Sequence, residues 1–93
     1  MISQKVKILN PSGFHLKTAT VLSNSIENYS SKIEFQYEKN GVQGTANLKS
    51  ILSILASGVR QGQEIEICCD GSDEEEALKK VIQTIEDGLG ETI

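Results

Sequence analysis

Between Lys32 and Glu38 the chain alternates strictly, with Ile33, Phe35 and Tyr37 on one face and Lys32, Glu34, Gln36 and Glu38 on the other. A period of two marks a strand with one face buried and one wetted. Asn40-Gly41 follows, a pair that readily takes the left-handed conformations of a two-residue hairpin turn. A returning strand is therefore expected over roughly Val42 to Ala46. The two strands form a hairpin whose apolar face has to be covered. Gly44 in the returning strand points to an irregularity or a bulge.

The rest of the chain supplies what covers that face. Residues 4 to 9 begin as a polar–apolar alternation and predict a strand, ended by the turn residues Asn10-Pro11-Ser12-Gly13. From Leu16 to Asn28, Ala19, Leu22 and Ile26 recur at helical spacing, and His15 stands at the cap position. A short helix is expected over Asn47 to Ala56, closed by Ser57-Gly58, with Leu48, Leu52 and Leu55 in one stripe and Ile51 and Ile54 off it. So apolar a helix cannot hide every side on one small sheet, so part of it is either unusually buried or left as a docking patch.

Glu64 to Cys69 reads as a strand with Ile65 and Ile67 inward. Ser72-Asp73-Glu74-Glu75 has the spacing of a capping box, with Ser72 as cap and Glu75 reaching back. The acidic run 73 to 76 is a solvated helix start matched to the dipole. Leu78, Val81, Ile82, Ile85 and Leu89 form the stripe of the last helix, which Gly88 and Gly90 end. The order strand, helix, strand, strand, helix, strand, helix gives an α+β domain over residues 1–93, with helices on one face of a four-stranded sheet.

Composition removes several classes of function. With 38% hydrophobic and 24% charged residues the chain is globular. A formal net charge of −4 disfavours a nucleic-acid surface, which needs clustered Lys and Arg. There is no apolar run of membrane-spanning length and no signal-peptide pattern, so a cytoplasmic protein without membrane insertion is expected. Cys68 and Cys69 are adjacent, which fits two reduced strand residues rather than a disulfide framework or a zinc site. No ligand set for a metal and no cofactor motif is present, and the single histidine argues against an independent hydrolase.

That histidine carries the chemistry. His15 follows a strand-like segment and Gly13, and it precedes a helix. A helix N-terminus offers free N–H groups and a dipole that favour an anion. An imidazole beside such a cradle can carry a phosphoryl group, provided it is neutral, and the positive helix end disfavours its protonated form. The N–H groups of Leu16 and Lys17, the Lys17 ammonium and Ser12 are the candidate phosphate stabilisers. Taken by residue type alone, His15 reads better as a surface or capping histidine with no role, and Lys17 as a solvated lysine is the rival to its site role.

Four segments together resemble the HPr family, the histidine-containing phosphocarriers of the bacterial sugar phosphotransferase system. They are Ser12-Gly13-Phe14-His15 before a helix, Asn47-Leu48-Lys49-Ser50-Ile51, Gly58-Val59-Arg60-Gln61-Gly62 before a strand, and the acidic capped helix ending in Gly88-Leu89-Gly90-Glu91. The likeness spans essentially the whole chain, with extra residues around Asn40 to Gly44.

The resemblance implies an open-faced β-sandwich, a four-stranded antiparallel sheet under three helices. It implies a relay in which enzyme I charges His15 and His15 passes the group to IIA domains, for which a monomer suffices. It also implies phosphorylation of Ser50 by an HPr kinase/phosphorylase, the product binding a catabolite-control repressor. It places Leu16, Thr20, Ile51, Leu52 and Leu55 on the face where partners dock. In the family a small residue, Arg and Pro follow the histidine, whereas here Leu16, Lys17 and Thr18 do. Lys offers a point charge in place of a planar fork. Thr18 keeps its backbone N–H and allows more freedom at the helix start than Pro would.

Two functions from different classes follow. One is a phosphocarrier acting through His15. The other is an interaction module of the same fold, with His15 slow or silent and binding controlled through Ser50. A small ligand-binding domain sharing the layout is a third, but no cluster of convergent polar residues supports it.

Overall fold

The computed structural model describes residues 1–91. They run as β1 (Ile2–Lys7), α1 (Leu16–Ile26), β2 (Lys32–Lys39), β3 (Val42–Asn47), α2 (Ile51–Ser57), β4 (Glu64–Asp70) and α3 (Glu74–Glu86). The four strands form one sheet in the order β1-β4-β2-β3, every pair antiparallel. The three helices cover one face, making the expected open-faced sandwich. No helix of the described residues is long and apolar enough to cross a membrane.

Alternation sets which face is covered. Ile33 and Phe35 of β2, Ile65, Ile67 and Cys69 of β4, and Ala46 of β3 are buried under the helices. Ala19, Leu22 and Ile26 of α1 and Ala77, Leu78, Val81 and Ile85 of α3 meet them from above. Full burial of an aromatic such as Phe35 contributes about 2–3 kcal/mol. Phe14 packs edge-on to Phe35, with ring centroids 5.4 Å apart, and so pins the loop before α1 to the middle of the core.

Several local expectations change. β1 starts at Ile2 and ends at Lys7, earlier than the predicted 4 to 9, while Ile8 stays tied by its N–H to the Gln63 carbonyl at 2.9 Å. β3 carries no bulge, since the register from Glu34–Asn47 to Lys39–Val42 is unbroken. Gly44 instead makes room for Tyr37, because a Cβ there would lie 2.5 Å from the ring. Helix α2 starts at Ile51 rather than Asn47, so Leu48 lies in the turn before it. The apolar residues that α2 and its lead-in bury completely are Leu48 and Ile54, while Leu52 is 79% exposed, and the predicted Leu48–Leu52–Leu55 stripe does not exist.

The predicted capping box at Ser72 and Glu75 is absent as well. The cap position of α3 is Asp73, which makes no side-chain cap bond to the helix. Its carboxylate is taken by Ser30 and Ser31 from the connection after α1. These bonds hold its pKa down to about 2, the Ser31 hydroxyl acting most strongly. The Cys69 thiol is pushed up to about 11 by burial, with Cys68, Glu74 and Asp73 adding to the rise. Cys68, on the opposite face of the strand, is raised by burial and by Glu66 and Glu34. Neither thiol is poised to react.

Candidate functional site

The loop from Asn10 to His15 owes its shape to Gly13. Its φ is +60°, and a Cβ there would lie 2.7 Å from both the Arg60 Cα and the Val59 carbonyl oxygen. Only glycine allows this approach without displacement. The loop is tied down by the Phe14 N–H to the Val59 carbonyl at 3.0 Å, and by the Nδ2 of buried Asn10 to the Gly13 carbonyl at 2.9 Å.

His15 then caps α1 in an extended conformation, with φ −128° and ψ −175°. Its carbonyl accepts from the Ala19 N–H at 2.8 Å, the first turn of the helix. Its Nδ1 accepts from the Lys17 N–H at 3.3 Å. An N–H can be accepted only by an unprotonated ring nitrogen, so Nδ1 carries a lone pair over the helix N-terminus. The ring is about two-fifths exposed.

Thr18 does the opposite of loosening this start. It is fully buried, and its hydroxyl accepts from the His15 N–H at 3.0 Å and donates to the Gly13 carbonyl at 2.6 Å. Together with the imidazole bond to Lys17 this is a reciprocal cap of the capping-box kind. The expected freedom relative to Pro is therefore absent, because the side chain replaces the rigidity that a proline ring would supply.

The largest contribution that sequence reasoning missed is Glu91. After α3 the chain turns through Gly88, Leu89 and Gly90, all at positive φ (91°, 55° and 85°), and delivers Glu91 beside the His15 ring. Glu91 Oε1 accepts from Asn10 Nδ2 at 2.9 Å and from the Ser12 N–H at 3.1 Å. Oε2 accepts from the Ser12 hydroxyl at 2.8 Å and lies 3.5 Å from His15 Nε2. These donors hold the Glu91 pKa down to about 2, Asn10 first and Ser12 next, with His15 a smaller contributor. Ser12 thus gives both its N–H and its hydroxyl to Glu91. The 75 residues between His15 and Glu91 leave no local pattern that links them.

Leu16 is 65% exposed beside the ring, and Lys17 is exposed and enters no ion pair among the described residues. Thr20 is half-buried, and its hydroxyl donates to the Leu16 carbonyl at 2.7 Å. α2 packs beside α1 and presents Leu52, with Ile51 and Leu55 half-buried. Ser50 is the N-cap of α2, accepting from the Ser53 N–H at 3.2 Å.

A sequence model of one family, described as the PTS HPr component phosphorylation site, matches residues 2–87. The multiphosphoryl transfer protein of Salmonella typhimurium is 32% identical over 91 residues, covering 98% of this chain. The chain spans only 24% of that relative's length. Among solved structures, HPr-C-His from Thermoanaerobacter tengcongensis superposes with a TM-score of 0.86 at 33% identity, covering all of both chains. The histidine-containing phosphocarrier protein of Mycoplasma gives 0.84 at 30% identity, covering 95% of this chain and 96% of its own. Fold, loop and sequence agree, and the chain belongs to the HPr family of phosphocarriers of the phosphotransferase system.

Proposed function

We propose that this chain accepts a phosphoryl group on His15 from enzyme I and passes it to IIA domains. The supporting observation is the Nδ1 lone pair standing over the first N–H groups of α1. Attack by Nδ1 forms the N–P bond as the bond to the donor's leaving group breaks, and the electron pair leaves with that group. Phosphoryl transfer asks mainly for position and for charge balance on the oxygens. The Leu16 and Lys17 N–H groups and the exposed Lys17 ammonium supply that balance. Transfer back out to an acceptor uses the same geometry in reverse, so the chain is a carrier rather than an enzyme that turns over.

Partners dock on the apolar surface formed by Leu16, Thr20, Ile51, Leu52 and Leu55. Leu52→Ser changes stability by no more than about 0.5 kcal/mol, since the side chain is already in water, but weakens transfer from enzyme I. Ser50 is the regulatory position, acted on by an HPr kinase/phosphorylase and then read by a catabolite-control repressor. A phosphate there adds about −1.5 to −2 charge at the edge of the docking surface. It repels an acidic partner such as one that seeks out Lys17. Ser50→Asp is expected to slow uptake from enzyme I, and an unchanged rate would remove this part of the reading.

The test of the carrier reading is the intact mass of the chain after incubation with enzyme I and phosphoenolpyruvate. An acid-labile phosphate adduct, lost in His15→Ala, is expected. No adduct, with enzyme I active on an ordinary HPr, would favour the second reading. There the Leu16-Lys17-Thr18 run, which replaces the family's usual small residue, Arg and Pro, marks an interaction module controlled through Ser50.

A further inference from the structure

His15 Nε2 has no solvent contact and no hydrogen bond of ordinary length, although the ring as a whole is partly exposed. The group it faces is the Glu91 carboxylate, 3.5 Å away. That carboxylate is not a mobile surface charge. Three donors fix it, one from Asn10 and two from Ser12, and Asn10 is fully buried. They saturate Oε1 and leave Oε2 with its free lone pair toward the ring. On the other side of the ring, Nδ1 faces a donor. The two nitrogens therefore meet opposite demands, an acceptor at Nε2 and a donor at Nδ1. A neutral imidazole satisfies both in only one of its two tautomers.

We propose that Glu91 is a positioning residue that holds His15 in the Nε2–H tautomer and so selects Nδ1 as the phosphoryl acceptor. The inference rests on His15 being the acceptor of the relay. When Nδ1 takes the phosphoryl group, no proton needs to leave, because Nε2 already holds the ring's only one. The ring then bears a positive charge, and the fixed Glu91 anion balances it from the side opposite the phosphate. The phosphate oxygens in turn face the α1 N-terminus. Positive ring charge is thereby placed between two negative groups, and Glu91 acts in both the free and the loaded carrier. A partner carboxylate that orients an imidazole through its second nitrogen is a recurrent device in histidine chemistry.

The experiment is long-range ¹H–¹⁵N NMR of the His15 ring in the full chain, with initial rates of phosphoryl uptake from charged enzyme I. Wild type is expected to show a bare Nδ1 and a protonated Nε2 above the ring's titration range. Glu91→Gln places a neutral amide beside Nε2. It is expected to give a mixture of tautomers and to slow uptake by roughly ten- to hundredfold, the loss typical when the partner orienting a metal-bound histidine is removed. Glu91→Asp keeps the charge and is expected to recover part of both signals. A purely structural tether would leave the tautomer ratio alone. A single Nε2–H tautomer and a wild-type rate in Glu91→Gln would overturn the proposal. A wild-type ring already mixed, or protonated on Nδ1, would overturn it without any variant. A wild-type chain with the expected tautomer that takes no phosphate would defeat the carrier reading and with it the selection of an acceptor, and would leave only the tautomer clamp standing.

Discussion

Helices α1 and α3 both begin beside a carboxylate that neutral hydrogen-bond donors hold ionised, Asn10 and Ser12 at one and Ser31 and Ser30 at the other, yet the two carboxylates serve different ends. At α3, Asp73 turns away from its own helix and takes the N–H groups of Ser30 and Ser31 at 2.8 and 3.0 Å. At α1, Glu91 arrives from the far end of the chain and takes the N–H and hydroxyl of Ser12. Each helix start follows a glycine with no room for a Cβ, Gly71 against Ser31 and Gly13 against the Val59–Arg60 backbone. One start joins two connections, Asp73 meeting the N–H and hydroxyl groups of Ser30 and Ser31 and no ring nitrogen. The other places the same kind of anion against a ring nitrogen. The chemistry of a latch is thus generic, and what it latches decides whether it is functional.

The strongest way to break this parallel is to fill the two glycines. Gly13→Ala puts a methyl 2.7 Å from backbone atoms, and Gly71→Ala puts one 2.7 Å from the Ser31 Cα. Both positions also lie at positive φ, +60° and +156°. Each variant is expected to lose about 2–3 kcal/mol in denaturant unfolding, from overpacking and an unfavourable backbone conformation. Only Gly13→Ala is expected to slow phosphoryl uptake beyond what its unfolded fraction explains, because it moves the His15 loop. Equal effects on uptake would show that the two ends are not functionally distinct.

A smaller effect separates the caps themselves. Thr18→Val removes a buried hydroxyl that serves the His15 N–H and the Gly13 carbonyl, at a cost of about 1–2 kcal/mol. The equivalent third position of α3 is Glu76, which is exposed, and Glu76→Ala is expected to stay within about 0.5 kcal/mol. Thermal or urea unfolding of the pair reads the difference directly.

Much of this contrast was hidden in the sequence for identifiable reasons. The hairpin and the α1 stripe were legible because one face of each is buried, and burial writes a period into the residues. His15 as a cap was legible because its context is local. Ser72 and Glu75 have the right spacing for a box, yet the bonds went elsewhere because Ser30 and Ser31, some forty residues upstream, offer Asp73 better donors. In α2 a seven-residue helix is too short for periodicity to tell inside from outside, and Ile54 rather than Leu52 turned inward. Glu91 belongs to the same class as Asp73, a long-range polar contact that no window of sequence contains. The Gly88–Gly90 pair announced the end of a helix without saying where the turn would aim the next residue.

Acid titration sharpens the comparison most finely, since it treats the two carboxylates as matched probes. Both have folded-state pKa values near 2, below the ordinary range of about 4 expected of the unfolded chain. The unfolded state therefore binds more protons between those values, so stability is full above about pH 4.5 and falls as the pH drops toward 2. Asp73→Asn and Glu91→Gln are each expected to flatten that fall, measured as the urea midpoint at a series of pH values. Both sites lie close to solvent, and added salt reduces what Glu91 draws from His15 more than what either carboxylate draws from its neutral donors. The two variants should differ in the presence of enzyme I. Asp73→Asn alters the acid limb and leaves uptake at neutral pH unchanged, whereas Glu91→Gln alters both. If the acid limb responds to Asp73 but not to Glu91, the Glu91 contacts are too weak in solution to orient the ring, and the functional half of the parallel fails while the structural half survives.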